Sequence, residues 1–138
     1  MAVKVGRLAK VALAANKVAE MGVWSIDGIT NDLIESTEFG DSFKTYEFGF
    51  SDYGTVSFSG YWDMTDTNGQ KILESAHKNK SKIANIRFYV DAASYYTPDT
   101  TSVTDAGILI ETLRIAFDKA GIGTIEFTAK CTGPMALV

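Results

Sequence analysis

The stretch FSGYWDMTDTNGQKIL, Phe58 to Leu73, sets aromatic and small residues against the start of a helical pattern, with Asp63, Asp66 and Asn68 at the junction. To its left, Val56, Phe58, Trp62 and Met64 alternate with Thr55, Ser57, Ser59 and Asp63. That period of two is the mark of a half-buried strand. To its right, Thr67 followed by Gln70 fits a capping box, in which the hydroxyl takes a backbone N–H and the amide reaches back. Ile72, Leu73 and Ala76 share one helical face, and Lys71, Glu74, Lys78 and Lys80 the other. Asp66 falls where the helix dipole favours an anion. The junction therefore reads as a strand exit followed by a helix over about residues 67–79, capped by Thr67 and Gln70.

The same period of two recurs elsewhere. In IANIRFYVDA, Ala84, Ile86, Phe88 and Val90 oppose Asn85, Arg87, Tyr89 and Asp91. In GTIEFTAKC, Ile125, Phe127, Ala129 and Cys131 oppose Glu126, Thr128 and Lys130. GILIETLRIAF alternates less cleanly, which predicts a strand covered on both faces. DLIESTEFG is acidic with charge on both faces and predicts a strand whose outer face meets water. In the N-terminal segment Leu8, Val11, Ala12 and Ala15 also fit helical spacing, but the β-rich Val18 to Ile26, with Gly22 inside it, favours a hairpin turning at Asn16–Lys17. The expectation is a single domain over residues 1–138, mainly β, a β-sandwich or barrel-like fold with one flanking helix.

Composition limits the function classes. A chain of 138 residues buries a core without staples. The lone Cys131 excludes an intrachain disulfide, and with the lone His77 it makes no metal knuckle. The start MAVKVGRLAKVALAA imitates a signal peptide, but its uncharged run falls short of the ~7 to 15 apolar residues required, so the segment is expected to be retained. No stretch approaches the ~18 apolar residues of a membrane span, and no membrane insertion is expected.

No Ser/His/Asp or Cys/His set in the chain rises above chance. Asp63 and Asp66 have the chemistry of a glycosidase pair, yet no other signature of that chemistry stands beside them. His77, among lysines near a helix C-terminus, complements the dipole. Cys131 alternates inward with Ile125 and Phe127 as a small buried hydrophobe. Gly121 to Gly123 precedes a strand, so GIG is a turn and not a phosphate cradle. The chain is expected to be no enzyme and to use no metal or cofactor.

Charge is unevenly spread. From Asp27 to Asp66 nine acidic residues face one base, Lys44, a local charge of −8 in a chain of net −4, which leaves +4 for the rest. The plainer explanation of such a run is a solvated face.

The order WSIDGIT, LIESTEFGDSFKTYEFGFSDYGTVSFSGYWDMTDTNGQKIL and the C-terminal GILIETLRIAFDKAGIGTIEFTAKCTGPMAL resembles the major tail tube proteins of tailed bacteriophages. The resemblance covers most of the chain and rests on the joint order of an acidic strand, an aromatic Gly-rich excursion, a D-x-G-x-V-x-F-x-G return strand and a D…GQ..L helix start. TIEFTAKCTGPMAL resembles the family's closing strand, with Thr132–Gly133 as its tight turn. The resemblance implies a β-sandwich flanked by a helix, six copies closing into a ring, and rings stacked helically into a hollow tube that conducts DNA during ejection. It also implies a virion tail location, assembly in the host cytoplasm, and contact with terminator, tape measure and distal tail proteins. Closure across subunits would pair exposed sheet edges, and a head-to-tail contact that closes by rotation gives rings.

Under that resemblance, Leu33 to Phe39 and Thr55 to Asp63 are expected to be the two arms of one long lumen hairpin. Glu35 or Glu38, together with Asp63, would then face passing DNA and repel it, where a basic bore would hold it. The intervening Gly40 to Gly54 carries Phe43, Tyr46, Phe48, Phe50 and Tyr53, candidates for a loop that stacks rings; the plainer reading is that they cover their own sandwich. Ala93 to Gly107 is a second candidate contact loop, anchored by Tyr95 and Tyr96. Two alternatives remain: a tube protein of a contractile injection or secretion machine, and a small-ligand-binding β-barrel module.

Overall fold

A computed structural model of the chain describes residues 9–14, 16–18, 21–91 and 93–138. Residues 1–8 and 15 of the signal-like start MAVKVGRLAKVALAA lie outside them. Eleven strands and one helix follow in order among the described residues: β1 Lys10–Leu13, β2 Asn16–Lys17, β3 Met21–Asp27, β4 Thr30–Glu35, β5 Tyr46–Asp52, β6 Thr55–Tyr61, α1 Gln70–Asn79, β7 Ile86–Tyr89, β8 Tyr95–Pro98, β9 Gly107–Ala116, β10 Thr124–Thr132 and β11 Met135–Leu137. The chain is mainly β, and its sheets are antiparallel with none closed into a barrel.

One sheet has the order β11-β8-β7-β1-β2 and a second β3-β6-β10-β9, while among the described residues β4 and β5 pair only with each other. The two larger sheets pack face to face. Val11, Leu13, Ile86 and Phe88 come from the first, and Val56, Phe58, Ile125, Phe127 and Ala129 from the second. Phe88 stands 5.5 Å from both Trp24 and Phe58, and Phe58 stacks on Phe127 at 5.1 Å. Trp24 also donates its indole N–H to the carbonyl of Tyr89, which ties β3 to β7. Leu73 and Ala76 bring α1 into the same core.

The alternating segments form strands, but Ala84 and Met64, expected on their apolar faces, are exposed outside β7 and β6. Ile125, Phe127, Ala129 and Cys131 of β10 point inward, and so do Ile86 and Phe88 of β7. The N-terminal hairpin forms, but it reverses earlier than Asn16–Lys17: Leu13 pairs with Asn16, and Ala14 adopts φ 53°. Gly133, at φ 83°, does turn the chain after β10, and the turn carries β11 into the other sheet.

Three expectations are corrected. First, β9 is not covered on both faces. It is an edge strand with Leu109 and Ile115 nearly half exposed, and a bulge opposite Thr128 and Ala129 breaks its alternation. Second, the arm from Leu33 to Phe39 does not pair with Thr55 to Asp63. The partner of β4 is β5, which the sequence reading placed inside a loop, and β6 lies between β3 and β10. Third, α1 begins at Gln70 behind Gly69, and no Thr67 side chain caps it.

Candidate assembly surfaces

The helix start uses its polar residues structurally. Gln70 is almost wholly buried, its Oε1 accepting the N–H of Asp63 at 2.9 Å and its Nε2 donating to the carbonyl of Tyr61 at 2.8 Å. The amide thus locks the exit of β6 to the first turn of α1 instead of reaching back to Thr67. Asp66 takes the capping role, its Oδ2 accepting the N–H of Gln70 at 3.0 Å. Asp63 accepts both the hydroxyl and the N–H of Thr65, at 2.7 and 2.9 Å, and these bonds hold its carboxyl below the usual carboxylate range. A general acid needs the opposite shift.

Beyond the helix start, the hairpin β4–β5 pairs with no other strand among the described residues. Every residue of β4 is exposed, and β5 is exposed save for the half-buried Gly49. Register sets its faces. Leu33 pairs with Phe48 and Glu35 with Tyr46 on one side, while Ile34 pairs with Glu47 on the other. Leu33 is 61% and Phe48 75% exposed, a load of apolar surface that a ribbon in water does not need.

The tip is ordered by polar bonds. Ser36 donates its N–H to Thr45 at 2.8 Å, Thr45 returns its N–H to the Thr37 hydroxyl at 3.0 Å, and Glu38 donates its N–H to the Asp41 carboxylate at 2.8 Å. Phe39 and Phe43 project outward from this frame, both largely exposed.

The root is clamped. Gly28 and Gly54 face one another with φ 80° and 76°, and a Cβ on Gly54 would run into the carbonyl oxygen of Asp27. Lys130 reaches across from β10 to Asp52 at 2.8 Å, and Asp52 also accepts the N–H of Gly54. These residues were not foreseen from the sequence. Their signal was present in Asp27-Gly28 and Asp52-Tyr53-Gly54, turn pairs that bracket an excursion.

The expected site residues are therefore redistributed. Glu35 ends β4 and Glu38 lies in the tip, whereas Asp63 follows the end of β6 away from the hairpin root, so the three do not sit on two paired arms of one hairpin. Phe43 is in the tip, and Tyr46, Phe48 and Phe50 belong to strand β5. Tyr53 packs against the core. Tyr95 and Tyr96 are in β8, not in a loop. Tyr95 lies 5.0 Å from Tyr89, the rings tilted, with the Arg87 guanidinium over the Tyr95 ring, and Tyr96 sits 6.1 Å from Trp24.

A second surface is the outer face of the four-stranded sheet. Val23, Ser25, Ser57, Ser59, Glu126 and Thr128 line a shallow depression there. Its cations are matched: Arg114 lies 3.5 Å from Glu126, and Lys130 holds Asp52. Among the described residues β3 pairs only with β6. Among the described residues the outer edge of β9 has one backbone bridge, from Ile108 to Ile83, and α1 packs beside it.

No protein-family model and no curated protein matches the sequence. Solved structures do. A chain in the virion of a native gene transfer agent particle superposes with TM-score 0.73 at 11% identity over 99% of both chains. One in the tail of the empty gene transfer agent particle, refined with C6 symmetry, gives 0.73 at 10% identity over 99% of both chains. One in the sheath–tube complex of an extracellular contractile injection system gives 0.67 at 13% identity over 99% of this chain and 91% of the other. The chain shares its fold with chains of the gene transfer agent particle and of the contractile sheath–tube complex. At these identities the likeness is one of fold.

Proposed function

We propose that the chain is a structural tail tube subunit, non-catalytic, that closes with other copies into six-membered rings which stack into a hollow tube for DNA. The observation that carries this reading is the four-stranded sheet, whose edges β3 and, beyond the Ile83–Ile108 bridge, β9 have no strand partner among the described residues. An unpaired ladder is a liability unless something continues it, and a ring of copies joined edge to edge continues it without leaving an end. The gene transfer agent tail refined with C6 symmetry, matched along nearly the whole chain, supports six as the number.

In this arrangement the outer sheet face lines the bore. Ser25, Ser57, Ser59, Thr112 and Thr128 present hydroxyls, and the charges of Arg114 and Lys130 are already matched. Among the described residues this face leaves no unmatched cation, which gives phosphates nothing to release counterions against, so DNA passes without being held. This replaces Glu35, Glu38 and Asp63 as the lining. Ring stacking falls to the exposed hairpin, with Phe43, Tyr46, Phe48 and Phe50. Terminating and length-setting tail proteins would meet the last rings in a virion tail assembled in the host cytoplasm.

The match to a contractile sheath–tube complex supports a second reading, in which the tube runs inside a sheath and carries no DNA. Negative-stain microscopy of the purified protein tests the shared core of both. Rings or tubes of uniform width are expected, and a monodisperse monomer at high concentration would overturn the assignment. Nuclease-protected DNA in tails from the native particle separates the two readings.

A further inference from the structure

The chain has five asparagines, Asn16, Asn31, Asn68, Asn79 and Asn85, and only Asn68 is followed by glycine. An asparagine loses its amide when the backbone nitrogen of the next residue attacks its side-chain carbonyl carbon. The attack is favoured where that next residue has no Cβ in the way, where its nitrogen is not engaged in a hydrogen bond, and where water reaches the side chain.

Asn68–Gly69, at the start of α1, meets all three conditions. Asn68 is exposed, and among the described residues its side chain makes no hydrogen bond. Gly69 precedes the first helical residue at φ −130° and ψ −90°, and among the described residues its N–H has no acceptor, as is usual for the first amides of a helix. Packing also dictates the glycine. A Cβ at position 69 would run into the Asp66 carboxylate and stand 2.9 Å from the Cα of Val18. The fold thus requires the residue type that makes its neighbour reactive.

The other four asparagines are held. Asn31 accepts the Ser51 hydroxyl on its Oδ1. Lys80, after Asn79, donates its N–H to the carbonyl of His77. Asn16 is paired with Leu13 in β2, and Asn85 precedes Ile86, which is paired with Leu13 in β7.

We propose that Asn68 is a site of spontaneous deamidation in the folded chain. The Gly69 nitrogen bonds to Cγ of Asn68 and passes its proton to water, the Cγ–Nδ2 bond breaks, and ammonia leaves with a proton returned by water. Water then opens the cyclic imide. Attack at Cγ gives aspartate, and attack at the main-chain carbonyl carbon gives isoaspartate. Both products place a new carboxylate at the start of α1. Aspartate there is favoured by the helix dipole. Isoaspartate instead adds a methylene to the main chain, directly before a glycine wedged against Val18 and a Gln70 side chain bonded to both Asp63 and Tyr61. That form loosens the junction of β6 and α1. The inference does not depend on the tube reading.

The test incubates the full folded chain in warm, mildly alkaline buffer made with heavy-oxygen water and follows each asparagine by peptide mass spectrometry. Loss of the Asn68 amide with uptake of heavy oxygen is expected ahead of the other four sites, and enzymatic methylation specific for isoaspartate should label the same peptide. The aged parent should show a lowered Tm. Asn68→Ser should keep its circular dichroism, take no label and hold its Tm on ageing. An Asn68 amide that lasts as long as that of Asn79, or that is lost only from chain unfolded in urea, would overturn the proposal and leave the tube assignment untouched.

Discussion

The Nζ of Lys130 lies 2.8 Å from Oδ1 and 2.9 Å from Oδ2 of Asp52, joining the hairpin root to the four-stranded sheet across 78 residues of chain. The ribbon is thus an appendage held at a defined root.

That pair predicts a pH dependence. The hydrogen bond from Lys130, followed by that from the Gly54 N–H, holds the Asp52 carboxyl below the usual carboxylate range. A carboxyl depressed in the folded state contributes stability that is present at neutral pH and lost as pH falls through its folded pKa. Asp52→Asn should therefore lower the Tm slightly at neutral pH, since the group is exposed and screened. The difference from the parent should vanish in acid. Thermal denaturation followed over pH checks it; a gap that persists in acid would remove the ion pair as its cause.

Gly54 is predicted to tolerate no side chain. Its φ of 76° and the approach of Asp27 act together, so Gly54→Ala should destabilise by about 1–3 kcal/mol. Gly40 has φ 95° but open space around it, so Gly40→Ala should cost about 1 kcal/mol, from backbone conformation alone. Urea unfolding of the two variants separates close approach from φ; equal losses would show that contact with Asp27 is immaterial.

The helix start yields a third prediction. Gln70→Ala leaves the Tyr61 carbonyl and the Asp63 N–H without their partner in a buried seam, and should cost about 1–3 kcal/mol. Thr67→Ala should stay within about 0.5 kcal/mol of the parent, as at a surface position without a cap. Chemical denaturation ranks them, and a larger loss at Thr67 would reinstate the capping box.

These residues also show where sequence reading reached its limit. β6, β7 and β10 were legible because each buries one face, so their pattern is written by the core. Tyr46, Phe48 and Phe50 alternate with Glu47, Gly49 and Ser51 as a strand should, but β5 packs against no core, and nothing in the pattern names β4 as its partner. In β9 the bulge at Glu111 shifts the alternation, and the exposed Leu109 and Ile115 imitate a strand buried on both sides. The placement of Asp63 away from Glu35 was illegible for a related reason. Charge along a sequence carries no record of which strands pair. The Gln70 spacing was found, but a glutamine three residues after a threonine has the same spacing whether its amide turns back to the cap or forward into the seam.

The last prediction concerns the hairpin as a whole. Its root is closed by the Thr30–Asp52 pair, so the two ends to be rejoined already lie side by side, and loop-closure cost changes slowly with length. Replacing residues 31–51 with a short Gly/Ser linker should leave both large sheets and α1 intact, because no residue of that segment belongs to the buried core. Circular dichroism and near-UV aromatic signals from Trp24 and Trp62 should report a folded domain. Sedimentation should report loss of long polymer, since removing anchors such as Phe39, Phe43 and Phe48 costs on the order of 2 kcal/mol each, and every junction between rings repeats the loss. Long tubes built by the shortened chain would assign stacking to another surface and leave the sheet edges β3 and β9 as the sole contacts required for assembly.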